Sequence, residues 1–143
     1  MIKTRSFYVP GEPRGKARPR TANVGGQQWH YTPQTTREYE NWVRDQYAIQ
    51  CRGAEMIPKG VNVAITIDCI FSVPQSANRR RQEKMLSGLI RPVKRPDADN
   101  VLKIVADALN GLAYHDDAQI VSATVTKLYG PEPMVRVWIS EAE

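Results

Sequence analysis

The sequence predicts one compact α+β domain spanning residues 1–143, with a mixed or mainly antiparallel sheet and two to three helices. Three observations carry this expectation. Residues 61–73 form a long β-branched run in which Val61, Val63, Ile65, Ile67, Cys69 and Phe71 alternate, the mark of a strand with one face packed inward. Two other stretches place apolar residues at helical spacing. A chain of 143 residues is also long enough to bury about 68–70% of its unfolded surface around one core.

Taken in order, residues 3–9 alternate, include Phe7, Tyr8 and Val9, and read as a strand ended by Pro10-Gly11. From Gly11 to Pro33 the chain is rich in Pro, Gly and positive charge, a long loop in which Gly25-Gly26 can turn a hairpin. Thr35 or Thr36 can cap a helix running to about Gly53, with Tyr39, Trp42, Val43, Tyr47 and Ala48 near one face as core. A short helix fits Asn78–Leu89. The clearest helix is Asp99–Asn110, whose stripe is Val101, Leu102, Ile104, Val105, Ala108 and Leu109, with Asn110-Gly111 as its carboxyl-terminal cap. Two strands follow, Gln119–Tyr129 and Met134–Ser140, joined by a Gly130-Pro131 turn. No internal repeat or low-complexity segment is present.

The formal net charge is +5, with Arg and Lys gathered in short clusters, so the natural partners are polyanions. Charge alone fits a ligand-free basic surface equally well. Arg79, Arg80 and Arg81 fall at a helix amino terminus, where they oppose the macrodipole. Either they form a solvated face or contact with DNA phosphate retains them. Cys51 and Cys69 lack the partners that a disulfide framework or zinc site needs. The amino terminus has no apolar core of signal-peptide length and no run could span a bilayer. A cytoplasmic protein is expected, with no membrane partner.

The chemistry concentrates in Pro96-Asp97-Ala98-Asp99-Asn100 and, after the helix, Asp116-Asp117. Pro96 favours extended geometry before it, placing Asp97 and Asp99 at a loop-to-helix junction. Mg²⁺ is commonly held by one or two carboxylates with waters and phosphate oxygens, which such a pair can supply. Crowded carboxylates repel unless a cation sits between them. The competing reading makes Asp99 a helix cap and leaves Asp97 solvated. Lys103 lies four residues after Asp99 and four before Asp107, on one helical face. That spacing fits a surface ion-pair ladder or a cation near a reacting phosphate. Asp116-Asp117 fits a turn as readily as a metal ligand, and an isolated His115 is more often structural than a base.

Together these residues resemble the RusA family of Holliday-junction resolvases. The shared pattern is Pro96-Asp97-Ala98-Asp99-Asn100, Lys103, Asp107-Ala108-Leu109-Asn110-Gly111 and Asp116-Asp117-Ala118-Gln119-Ile120. The segments Gly15-Lys16-Ala17-Arg18-Pro19-Arg20, Tyr31-Thr32-Pro33, Thr36 and Tyr39-Glu40 extend the resemblance over most of the chain. Many relatives carry His shortly before the Pro-Asp pair, where this chain reads Arg91-Pro92-Val93-Lys94-Arg95.

The resemblance implies that Asp97, Asp99 and Asp117 are catalytic metal-binding carboxylates, with Asp116 a weaker metal ligand and Lys103 the catalytic cation. Asn100 would then orient a neighbouring carboxylate, and Asp107 would be the structural partner of Lys103. The implied activity is Mg²⁺-dependent resolution of four-way DNA junctions by paired symmetric cuts in recombination and repair, with Mn²⁺ able to substitute and no organic cofactor. A homodimer would present two active sites to the two equivalent strands. Lys16, Arg18, Arg20, Arg79, Arg80, Arg81, Lys94 and Arg95 are the expected DNA contacts. The alternatives are a nuclease for forks or flaps, and a non-catalytic protein that binds branched DNA.

Overall fold

The computed structural model describes residues 4–143, so position 3 of the first expected strand lies outside the described residues. Strand β1 (Thr4–Pro10) pairs antiparallel with β6 (Met134–Glu141), and β6 pairs antiparallel with β4 (Val63–Ser72). Strand β5 (Ile120–Gly130) then runs parallel to β4, giving a mixed sheet of order β1-β6-β4-β5. A separate two-stranded hairpin is formed by β2 (Arg20–Val24) and β3 (Gln27–Tyr31), turned at Gly25 (φ 61°) and Gly26 (φ 82°). Both turn residues have positive φ, which glycine adopts without a Cβ penalty.

Three helices complete the fold: α1 (Gln34–Gln50), α2 (Arg79–Leu86) and α3 (Ala98–Ala108). The core gathers the inward residues Phe7 and Val9 of β1, Ile65, Ile67 and Cys69 of β4, and Val135, Val137 and Ile139 of β6. Tyr39, Val43 and Tyr47 of α1 and Val101, Ile104, Val105 and Ala108 of α3 complete it. The alternation seen in β4 follows from its place between two hydrogen-bonded neighbours with one face covered. Phe7 meets Tyr47 edge-on, ring centroids 5.3 Å apart, and the buried Tyr114 hydroxyl donates to the Ala106 carbonyl at 2.7 Å.

Strand β1 ends at Pro10-Gly11 as expected, with Pro10 itself its last residue, which an edge strand tolerates. Several other boundaries differ from expectation for local reasons. Helix α1 is preceded by Pro33 without a side-chain cap, and it stops at Gln50. Thr36 is instead buried, its Oγ1 accepting from the Ala17 amide at 3.4 Å. Trp42 is 41% exposed and Ala48 is exposed, so the buried stripe of α1 is Thr36, Tyr39, Val43 and Tyr47. Helix α2 is shorter than expected. Its cap is Asn78, whose Oδ1 accepts from the Arg81 amide at 2.8 Å.

Helix α3 begins one residue early and ends at Ala108 with Leu109 right-handed at its cap. Gly111 (φ 73°) serves the following turn, where its amide donates to the Tyr114 carbonyl at 2.8 Å. Strands β5 and β6 are consecutive in sequence but not neighbours in the sheet, because β4 lies between them. As an edge strand β5 is thinly covered, with Val121 59% exposed. No helix among the described residues is long and apolar enough to cross a membrane.

Ile67 is fully buried at the centre of β4, so Ile67→Ala is expected to cost about 2–5 kcal/mol of unfolding free energy. Val121→Ala on the edge strand should stay within about 0.5 kcal/mol. Urea titrations measure both, and a loss at Ile67 no larger than that at Val121 would contradict the assignment of the core.

Candidate active site

Parallel pairing of β4 with β5 requires the intervening chain to cross the sheet. That crossover contains α3 and ends in the turn entering β5. Asp97 is the backbone N-cap of α3 (φ −69°, ψ 151°), yet its carboxylate makes no capping hydrogen bond. Asp99, expected as a possible cap, sits in the first helical turn instead. Both side chains are exposed, and among the described residues neither enters an ion pair.

Asp99, Lys103 and Asp117 line one open cleft of about 420 Å³, walled by Leu102, Ala106 and the first residues of β5. Asp97 lines a different cleft of about 370 Å³, together with Arg14, Lys16 and Arg95. Two members of the expected carboxylate set thus share a cleft with the expected cation, while Asp97 lines a separate one that has no lining residue in common with it. Lys103 is exposed and forms no ladder with Asp99 or Asp107.

The turn before β5 is a short 3₁₀ segment, Asp117–Gln119, closed by a capping box between Asp116 and Gln119. Gln119 fastens this turn at both ends. Its Oε1 accepts from the His115 and Asp116 amides at 2.9 and 3.0 Å, and its Nε2 donates to the Pro58 and Val61 carbonyls at 2.9 and 3.0 Å. Asn110 Oδ1 accepts from the Asp117 amide at 2.7 Å. The capping box accounts for Asp116, the hydrogen bonds of Gln119 and Asn110 set where Asp117 points, and His115 is exposed at the edge of the turn.

Partial burial raises the Asp117 carboxyl above its ordinary range, and hydrogen bonding and charge from Asp107, then Asp116, push it further in the same direction. Ionising these groups together is costly unless positive charge joins them. Part of that charge comes from Lys16, whose Nζ lies 3.1 Å from Asp107 and 2.5 Å from Glu40. Burial lowers the Lys16 ammonium, but the hydrogen bonds and charges of Glu40 and Asp107 outweigh it and leave it raised. Lys16, expected to contact DNA phosphate, is therefore engaged inside the protein. Asp107, which an i,i+4 ladder would have paired with Lys103, is paired with Lys16 instead.

Residues 13–17 form a strap across the amino end of α3. The Lys16 amide donates to the Asn100 carbonyl at 3.0 Å. A Cβ at Gly15 would stand 2.9 Å from the Asn100 Cβ and 3.0 Å from the Pro96 Cβ, so glycine permits this approach. At the other end of α3, Arg44 Nη1 donates to the Ala108 carbonyl at 2.8 Å and the Asn110 carbonyl at 3.3 Å, a cation placed where the helix dipole favours one. Sequence reasoning missed Glu40 and Arg44 as supports of the site, since Glu40 pairs with Lys16 across 24 residues of chain and Arg44 reaches the Ala108 carbonyl across 64.

Of the other expected DNA contacts, Arg18 and Arg20 are exposed at the base of the hairpin and Arg95 lines the Asp97 cleft. Arg79, Arg80 and Arg81 are exposed on α2, with Arg79 lightly paired to Glu83 at 3.4 Å. Lys94 lies over the rings of Phe71 and Tyr129, 5.3 and 5.9 Å from their centroids.

Mg²⁺ takes hard oxygen ligands and commonly completes its shell with waters and substrate phosphate. Among the described residues, no three His, Cys, Asp or Glu side chains form a set able to hold a metal ion by themselves. The donors that Asp99 and Asp117 bring to one cleft, with the charge crowding at Asp117, fit a partly protein-bound ion of that kind.

The sequence pattern of the family Endodeoxyribonuclease RusA matches residues 10–140. A Bacillus subtilis (strain 168) protein described as "Uncharacterized protein YqaN" is 36% identical over 135 residues, covering 94% of each chain. The matched span includes both acidic segments, the strap and all three helices. The chain belongs to the RusA family of endodeoxyribonucleases.

Proposed function

We propose that this protein is a Mg²⁺-dependent endonuclease that resolves four-way DNA junctions in recombination and repair, acting in the cytoplasm as a homodimer that makes paired, symmetric cuts. The observation that carries this reading is the shared cleft of Asp99, Lys103 and Asp117 at the start of α3 and the entry to β5. Family membership supports the nuclease activity.

In this reading Asp99 and Asp117 supply oxygen donors from two separated segments, and Asp97, two residues before Asp99 at the amino end of α3, is the third acidic group of the site. Asp116 contributes more weakly, because its side chain is occupied in the capping box. When bound, Mg²⁺ supplies a Lewis acid at the phosphoryl oxygen and lowers the pKa of a ligated water. Lys103, exposed in the same cleft, stabilises charge that builds on the phosphate as the bond breaks. The Lys16–Asp107–Glu40 group and the Gly15 strap hold α3 against α1 and the amino-terminal segment, and Asn110 ties its far end to the acidic turn.

Arg18, Arg20, Arg79, Arg80, Arg81, Lys94 and Arg95 hold the duplex arms through phosphates, which gives affinity without much sequence information. Two-fold symmetry of the protein would match the two equivalent strands of a junction. Labelled four-way junction, fork, flap and linear duplex, incubated with Mg²⁺ or EDTA, test the assignment. Metal-dependent paired incision of the junction is expected. Equal cutting of linear duplex would remove the resolvase reading, and binding without incision in Mg²⁺ and Mn²⁺ would remove the enzymatic one.

Asp99→Asn should abolish incision while junction affinity stays within a few-fold and the thermal midpoint is retained; a collapsed melting transition would make Asp99 structural. The raised Asp117 carboxyl gives a second expectation with a definite sign. Its stabilising contribution is complete below the unfolded pKa of about 3.9 and is lost as pH rises through the higher folded value. In EDTA, Asp117→Asn should therefore gain thermal stability over the wild type on going from pH 4 to pH 7.5, and Mg²⁺ should raise the midpoint of the wild type alone. An unchanged difference across that range would contradict the crowding argument. Replacing Arg18 and Arg20 by Ala should weaken junction binding and flatten its salt dependence by about one unit of slope per lost phosphate contact; an unaltered slope in binding titrations would take these residues off the phosphates.

A further inference from the structure

The β2–β3 hairpin has two unlike faces. Cross-strand pairs share a face, and the register pairs Arg20 with Tyr31, Ala22 with Trp29 and Val24 with Gln27. The intervening pairs, Thr21 with His30 and Asn23 with Gln28, form a polar face, where Thr21 Oγ1 and His30 Nδ1 lie 3.3 Å apart. The first face carries Trp29 (55% exposed), Tyr31 (47%) and Val24 (64%), and every residue from 23 to 31 is exposed. A two-stranded hairpin is marginal in water unless something covers its apolar side. Aromatic rings left bare on such an arm forgo most of the burial they could gain.

Charge identifies the occupant. From Pro13 to Arg37 the chain has no Asp or Glu, and beside Lys16, which Glu40 and Asp107 hold, it carries Arg14, Arg18, Arg20 and Arg37. A second copy of the same arm would be repelled by this charge, whereas a polyanion is attracted. A two-stranded ribbon fits a DNA groove, and an aromatic side chain stacks on any base whose π-face is free. Paired bases inside a duplex offer no such face, while a branch point or gap does. The strap at Gly15 and Lys16 joins the hairpin to the amino end of α3, so bases held by the arm lie on a segment anchored to the helix of Asp97 and Asp99.

We propose that Trp29 and Tyr31, on the bare face of the β2–β3 hairpin, form a base-stacking surface for unpaired or unstacked bases of branched DNA and so help distinguish branched from fully paired DNA. This rests on the junction-nuclease reading above and adds to it a surface for selectivity. In function, the arginines at the hairpin base attract the backbone without regard to structure, and the rings add affinity only where a base is free.

The test is fluorescence anisotropy in EDTA with the full chain and three labelled DNAs: a four-way junction, a duplex with a short single-stranded gap, and a fully paired duplex. Trp29→Ala/Tyr31→Ala should lower affinity for the junction and the gapped duplex by about tenfold or more, and for paired duplex by less than about twofold. Trp29→Phe/Tyr31→Phe should restore most of the loss, since a phenyl ring still stacks. The thermal midpoint should hold in both variants, because the hairpin lies outside the core. An equal loss on all three DNAs, or no loss on the open ones, would overturn the proposal. A change in sedimenting mass would also overturn it, by showing the face to be an interface between copies. Failure of the junction reading is seen separately, as absence of junction incision by the wild type in Mg²⁺, while the gapped duplex still reads the stacking surface.

Discussion

The parallel register of β4 and β5 is the constraint on which the site depends. Antiparallel neighbours can be joined by a tight turn, but parallel ones need a crossover, and here it contains α2 and α3. Asp99 stands in the first turn of α3 and Asp117 in the turn that returns the chain to the sheet. The two carboxylates, eighteen positions apart by their numbering, come to share a cleft because the chain must travel out along α3 and back to β5. The apolar stripe of α3 fixes the helix against the sheet, so the geometry of the acidic groups is set by core packing.

Electrostatics then sets the cost of that arrangement. Asp107, Asp116 and Asp117 approach one another closely enough to raise the Asp117 carboxyl. Lys16 offsets part of the repulsion through Asp107 and is itself held by Glu40 of α1. The result is a site whose supports come from the strap, α1, α3 and the β5 turn together. A cation placed beside Asp117 would relieve the remaining repulsion, in keeping with the metal-dependent activity proposed above.

Much of this was legible in the sequence because the informative signals are local. The β-branched run of β4, the apolar stripe of α3 and the Gly25-Gly26 turn each depend on residues close in the chain. The acidic segments were recognisable as short motifs, and family membership agrees with that recognition. The strand order was not legible, since Gly130-Pro131 looks like an ordinary hairpin turn until β4 is found between the strands it joins. Partners of long side chains were equally hidden. Spacing offers Lys103 to Asp107, but the partner is Lys16, brought in by a strap whose closeness to α3 depends on Gly15. The helix cap was displaced for a similar reason: Asp97 holds the capping backbone position, yet its carboxylate is left uncommitted.

Anomalous diffraction from a crystal of the protein loaded with Mn²⁺ and bound to junction DNA tests most directly the proposal that Asp99 and Asp117, carried by different segments, bind one divalent ion. A peak at metal–oxygen bonding distance, about 2 Å, from an oxygen of each carboxylate is expected, with a phosphate oxygen among the remaining ligands. A fully loaded crystal with no peak between these two side chains, or with the ion held by other residues, would contradict it.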